Sequence, residues 1–318
     1  MNEPLYMPLA RSLVDRDYLS RSQEDLFAEL NIDPRTRILA VHNGKVLLVE
    51  YANRSQPKLR LLTVDEAPFG QHRTYLGKTN KNHVDLSIGT PILMTVLSDN
   101  EAEEFGSENW HHLRRTGAGL DDLDAGLFAQ ALALANWHES HGYCPKCGQA
   151  TVVEKAGWVR RCLNDGAEIF PRTDPAIIVS VIDAKDRILL GSQGVWEDNR
   201  WSILAGFVEP GESLTAAIER EMYEEAGVHV IEPKYLGSQS WPFPYSLMIG
   251  FTAKIHHDHA NAELVPDGDE IVKLRWFSRE EISLEAPRLL LPGRMTISRM
   301  LIEHWFGGEI ISATENES

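Results

Sequence analysis

Residues 206–228 read Gly206-Phe-Val-Glu-Pro-Gly-Glu212-Ser-Leu-Thr-Ala-Ala-Ile-Glu-Arg220-Glu221-Met-Tyr-Glu224-Glu225-Ala-Gly227-Val228, and on this stretch the fold turns. Its apolar spacing predicts a helix from Ser213 to Ala226, closed by Gly227. At about 100° per residue, Glu221 and Glu225 fall within roughly 60° of Leu214 and Ile218. Two carboxylates thus share the direction of the apolar stripe, whereas a solvated charge run points away from it. A like-charged pair at i, i+4 costs a few tenths of a kcal/mol when exposed and more when desolvated, unless a cation lies between the two. Glu224, on the flank of that face, adds to the negative field. The competing interpretation is an acidic, solvent-facing helix paired internally through Arg220.

The wider spacing decides against that interpretation. Glycine, five residues, glutamate, seven residues, then Arg-Glu-apolar-x-Glu-Glu-x-Gly-apolar resembles the box of the Nudix hydrolase family at every specified position, from Gly206 to Val228. The resemblance implies an α/β/α sandwich in which a loop and this helix hold divalent cations against a diphosphate. It implies that Glu221 and Glu225 bind metal with the carbonyl of Ala205, and that Arg220 orients the glutamates. Candidates for the general base are Glu224, Glu225 and Glu270; the last sits in Pro266-Asp-Gly-Asp-Glu270 before a predicted strand and matches a metal-linked glutamate of relatives. Hard oxygen ligands suit Mg²⁺ or Mn²⁺. Such cations polarise phosphorus, neutralise the leaving group and activate water for cleavage of a P–O–P link.

Beyond the box, Ser238-Gln239-Ser240-Trp241-Pro242-Phe243-Pro244-Tyr245-Ser246 predicts a rigid, non-helical loop whose prolines fix the directions of its aromatics. It could wall a pocket for flat rings or pack Trp241 and Phe243 into the core. The wording resembles the SQPWPFPxS signature of the NADH pyrophosphatase subfamily, with Ser240 in place of a proline. That resemblance implies hydrolysis of NADH or NAD⁺ to nicotinamide mononucleotide plus AMP, and of the same linkage at the 5′ end of NAD-capped RNA. It implies substrate contacts from Phe170, Phe207, Gln239, Trp241, Phe243, Ser246 and Ser298, with Arg114 or Arg115 as a further contact, and a homodimer.

All three cysteines fall in Cys144-Pro-Lys-Cys147 and Cys162, a metal-site pattern rather than a disulfide framework. Relatives with a zinc ribbon have Cys-x₂-Cys-x₁₄-Cys-x₂-Cys, and here Asp165 takes the last place. Carboxylate is a legitimate zinc ligand. The expectation is a structural Zn²⁺ held by Cys144, Cys147, Cys162 and Asp165, bracing the joint between the β-rich and Nudix domains, with His141 as a substitute fourth ligand and a metal-free ribbon as the alternative.

The chain of 318 residues carries 31 Lys+Arg against 47 Asp+Glu, a net charge of −16, which disfavours broad electrostatic capture of nucleic acid or an anionic membrane. The N-terminal stretch lacks the basic and apolar regions of a signal peptide and no segment reaches spanning length, so the expected location is cytoplasmic. The expected organisation is a β-rich N-terminal domain over 1–140, a zinc-ribbon-like segment over 141–171, an α/β Nudix domain over 172–310 and a frayed polar tail over 311–318. Within it, Asn43-Gly44 predicts a hairpin between Arg37–Val41 and Val46–Glu50, and Asp121 to Ser140 predicts a helix. Strands are expected at 176–182, 188–190, 201–204, 247–254 and 273–277, and a terminal helix at 297–305. His256-His257-Asp258-His259 and His111-His112 are expected to be solvated, and no P-loop or GxGxxG motif is present. The alternatives in function are a Nudix hydrolase of ADP-ribose, a dinucleoside polyphosphate or a differently capped RNA, and a nucleotide sensor that does not hydrolyse.

Overall fold

The computed structural model describes residues 5–10, 13–49, 56–259 and 263–316. They divide into two compact units, one built from 13–49 and 56–173 with 241–245, the other from 5–10, 174–240, 246–259 and 263–316.

The first unit carries a six-stranded sheet in the order Val14–Asp15, His72–Thr79, Pro91–Val96, Arg37–His42, Lys45–Leu47, Trp110–His112. Arg37–His42 and Pro91–Val96 pair in parallel. Asn43 and Gly44 have φ of 48° and 70° and join Arg37–His42 to Lys45–Leu47 in a two-residue hairpin, pairing Val41 with Val46. The second strand of that hairpin ends at Leu47, and Glu50 lies outside the described residues. The helix Asp122–Ser140 starts where the Asp121 carboxylate accepts the N–H groups of Leu123 and Asp124. Leu123, Leu127, Ala131, Leu134 and Trp137 are buried. A three-stranded ribbon follows, Thr151–Glu154, Val159–Cys162 and Glu168–Ile169.

In the second unit the central strand, Asp174–Ile182, pairs in parallel with Ser246–Ile255 and antiparallel with Leu204–Phe207. The sheet order is Val230–Trp241, Ser246–Ile255, Asp174–Ile182, Ile188–Gln193, Ile271–Phe277. Alternate side chains of the central strand serve two cores. Ile177, Val179 and Val181 meet Ala217, Ile218, Met222 and Ala226 of the helix Leu214–Ala226. Ile178 belongs to the opposite core with Ile297, Leu301, Ile302 and Trp305 of the helix Ile297–Phe306. Helix, sheet and helix form the α/β/α sandwich.

Four expectations are corrected. The strand placed at 201–204 starts at Leu204 and runs to Phe207, because its pairing register is with Ala176–Val179; Ser202 makes only an isolated bridge with Gly191. Leu214 is exposed, so the buried stripe of its helix begins at Ala217. The stretch 238–246 is not a free loop: Ser238 to Trp241 continue a strand, and the prolines sit in the intervening turn, where no ladder hydrogen is needed. The tail is tied down as far as Thr314: Ser312 is fully buried against Arg299, and the Thr314 hydroxyl donates to the Leu291 carbonyl at 2.7 Å, while 317–318 lie outside the described residues.

Candidate active site

The helix Leu214–Ala226 begins with the Ser213 hydroxyl accepting the Ala216 N–H at 3.2 Å and ends at Gly227 with φ of 69°. Its core-facing side includes a carboxylate: Glu225 is only 5% exposed. One oxygen of that group, Oε2, is buried without a hydrogen-bond partner. A buried polar atom left in this state costs about 1–3 kcal/mol, and more for a charged group. Burial, followed by the negative charges of Glu221, Glu270, Asp267 and Glu224, pushes the Glu225 carboxyl up to about 8. Burial also raises Glu221 against the opposing pull of Arg220. Glu221 has a cationic partner in Arg220, whereas Glu225 has none among the described residues.

Gly206, at the middle of the strand Leu204–Phe207, explains the first glycine of the pattern. A Cβ there would lie 2.0 Å from the carboxyl carbon of Glu221, so only hydrogen lets that side chain lie across the strand. The neighbouring Ala205 pairs with Ile178. Arg220 binds Glu212 through Nε and Nη2, donates from Nη1 to Glu221 at 2.8 Å and Glu224 at 2.9 Å, and reaches the Phe207 carbonyl at 3.0 Å. Its guanidinium holds the Glu212 carboxyl down at about 2. Glu224 is exposed. Glu270 is also exposed and accepts from the Gln193 amide at 3.3 Å. A buried orphan carboxylate oxygen, a glycine cradle and oxygen donors alone fit a hard divalent cation.

The expected substrate residues fall into distinct environments. Phe207 is 58% exposed on the second unit and Phe170 is 60% exposed on the first. Trp241 and Phe243 pack edge to face at 4.9 Å, and Arg114 lies over both rings, 4.3 Å from the Phe243 centroid. Asn136 donates to the carbonyls of Pro242 and Pro244, while the Tyr245 hydroxyl donates to the Asn136 carbonyl at 3.1 Å. This turn and its neighbours border a groove of about 500 Å³. Ser246, half-buried, opens the next strand.

Gln239 and Ser298, expected to contact substrate, face inward instead. Gln239 is fully buried and donates to the carbonyls of Pro8 at 2.6 Å and Met295 at 2.8 Å, while its oxygen accepts the Ile297 N–H. It ties a strand to the start of the helix Ile297–Phe306 and has no amide hydrogen left for a ligand. Ser298 is buried with its hydroxyl 2.8 Å from that of Ser202. The sequence reading missed Gln193, Asp267 and Asn136; only Asp267, in an Asp-Gly turn, carried a local signal.

In the ribbon, the ligand atoms of Cys144, Cys147, Cys162 and Asp165 all lie within 4.8 Å of one another. Two like turns present them: the Gly148 N–H donates to the Cys144 carbonyl and the Gly166 N–H to the Cys162 carbonyl, each at 2.9 Å, with φ of 75° and 72° at the glycines. Asp165 therefore occupies the turn position that Cys147 occupies in the first turn. Burial pushes the Cys162 thiol up to about 11, a cost that a bound cation would reverse. His141 is not one of the group; its Nδ1 lies 2.9 Å from the Ser140 hydroxyl.

Comparison with known proteins agrees with this geometry. Family models match residues 171–297 as a NUDIX domain, 139–170 as an NADH pyrophosphatase zinc ribbon domain and 35–137 as an NADH pyrophosphatase-like rudimentary NUDIX domain. The chain is 36% identical over 291 residues to a protein named NAD-capped RNA hydrolase NudC from Mycobacterium tuberculosis, covering 87% of this chain and 85% of that one. It is 36% identical over 200 residues to NAD-capped RNA hydrolase NUDT12 of Homo sapiens, covering 58% of this chain and 42% of that one. No described helix is long and apolar enough to cross a membrane. With the box helix, its glycine cradle and the ribbon in place, the chain belongs to the NADH pyrophosphatase subfamily of the Nudix hydrolases.

Proposed function

We propose that this protein hydrolyses the diphosphate of NADH and NAD⁺, giving AMP and nicotinamide mononucleotide in the redox state of the substrate, and removes NAD caps from RNA 5′ ends. The observation that carries the reading is the buried, unpartnered Glu225 oxygen beside Glu221 and its Gly206 cradle. The names of the relatives, NAD-capped RNA hydrolases, support the substrate class.

Glu221, Glu225 and Glu270, with the carbonyl of Ala205, would hold Mg²⁺ or Mn²⁺. A cation held there would supply charge neutralisation for the diphosphate and acidity to a water. Arg220 keeps Glu221 and Glu224 in position through its two Nη1 bonds. Glu224, half-open to solvent and bonded only through Arg220 among the described residues, is the carboxylate free to take the proton of the attacking water while Glu221 and Glu225 ligate. Phe207, exposed on the unit that carries the box helix, offers a ring on which a base can stack. The ribbon holds structural Zn²⁺ through Cys144, Cys147, Cys162 and Asp165, and the working form is a cytoplasmic homodimer.

The test is incubation of purified protein and Mg²⁺ or Mn²⁺ with NADH, NAD⁺, ADP-ribose, a diadenosine polyphosphate and NAD-capped RNA, with products resolved. Mononucleotide plus AMP from NADH supports the reading. Preferred turnover of ADP-ribose or the polyphosphate would reassign the substrate, and binding without turnover of any of them would remove the enzyme.

A further inference from the structure

Glu270 sits on an exposed loop, an unpromising place for a group that must meet a cation within a few tenths of an ångström. Two features outside the Nudix box restrain it. One oxygen of Asp267, Oδ1, accepts three successive backbone N–H groups, those of Asp269 at 2.7 Å, Glu270 at 2.9 Å and Ile271 at 3.0 Å. The turn closes with Gly268 at φ of 81° donating to the Ile271 carbonyl at 3.0 Å. From the facing strand, Gln193 donates to Glu270 Oε1 at 3.3 Å. The pairing of Ile188–Gln193 with Ile271–Phe277 slips by one residue between Ser192 and Gln193, so Gln193 pairs with Ile271, the residue after Glu270. A bulge beside a site re-aims a side chain.

We infer that Asp267 is a positioning residue for Glu270: its Oδ1 fixes the backbone of the 267–271 turn and with it the place from which the Glu270 side chain meets Gln193. The inference rests on the reading of Glu221, Glu225 and Glu270 as the cation-holding set. Asp267 acts on the turn as an acceptor, and its charge adds to the negative field at Glu225. An asparagine, which keeps Oδ1 and loses the charge, therefore preserves the turn, whereas alanine releases it.

The experiment is Mn²⁺ binding, read from the free-ion electron paramagnetic resonance signal, together with the Mn²⁺ dependence of NADH cleavage. It compares wild type, Asp267→Asn, Asp267→Ala, Glu270→Ala and the Asp267→Ala/Glu270→Ala double variant, with thermal melts to verify folding. Asp267→Ala is expected to weaken Mn²⁺ binding about tenfold, in the range that supporting groups around metal ligands contribute, and Asp267→Asn less than about threefold. In the Glu270→Ala background, Asp267→Ala should add no more than the roughly threefold allowed for the lost charge in Asp267→Asn, because a residue acting through another has nothing left to act on. A full additional loss in the double variant, or Asp267→Asn as weak as Asp267→Ala, overturns the positioning role. If Glu270→Ala binds Mn²⁺ as wild type does, the cation-holding assignment itself falls and the inference with it.

Discussion

Arg220 grips Glu212 through two parallel hydrogen bonds, Nε to Oε1 at 2.7 Å and Nη2 to Oε2 at 2.9 Å. This paired geometry is stronger than a single contact and leaves Nη1 aimed at Glu221 and Glu224. The loop glutamate thus sets the orientation of the arginine that arranges the helix glutamates.

Stability should follow that contact. The native Glu212 carboxyl lies at about 2, below its ordinary value. A depressed acid contributes stability above its unfolded pKa and loses it as pH falls toward the folded one. Glu212→Gln should therefore lower Tm at neutral pH, with the gap to wild type closing as pH falls from about 4.5 toward about 2. A pH-independent gap in calorimetric melts would contradict the assignment.

Gly206→Ala places a methyl 2.0 Å from the Glu221 carboxyl carbon. The side chain, not the backbone, must move, so kcat/KM for NADH should fall by about 10²-fold while Tm changes by only a few degrees. Steady-state kinetics beside thermal melts check this; unimpaired turnover would mean Glu221 need not lie across the strand.

Glu225→Gln separates stability from function. In chelator-treated protein the native carboxyl, raised to about 8, stays protonated where the unfolded one has ionised. The unfolded state then binds fewer protons, and native stability falls as pH rises from about 4.5 to about 8. The glutamine variant should accordingly melt higher than wild type, by more at the alkaline end of that window. With Mg²⁺ or Mn²⁺ added, wild type should gain Tm and the variant should not, and NADH cleavage by the variant should be lost. An equal metal-induced shift in both proteins would exclude Glu225 as a ligand.

Zinc content tests Asp165. Protein purified without chelator should hold about one zinc per chain, Asp165→Ala should lose most of it, and Asp165→Cys should retain it with a stronger sulfur-to-metal absorption after Co²⁺ exchange. Full zinc in the alanine variant would show that three thiolates suffice.

What was legible in the sequence was local. The box helix, its Ser213 start and its Gly227 stop follow from side chains three and four apart, and the core direction of Glu225 from the same periodicity. The second ribbon turn was visible because Cys162-x-x-Asp165-Gly166 repeats Cys144-x-x-Cys147-Gly148. Partners brought from far along the chain decided the rest. Gln239 reads as a polar residue of a substrate loop, yet Pro8, Met295 and Ile297 converge on it and make it a buried strut. Phe243 reads equally as core or as pocket wall until Arg114 lies over its ring. Helix periods and turn signals are set by neighbouring residues, so the sequence alone specifies them. Whether a polar or aromatic side chain is enclosed or available depends on hydrogen-bond partners and surfaces supplied by distant segments, and only the tertiary structure brings those together.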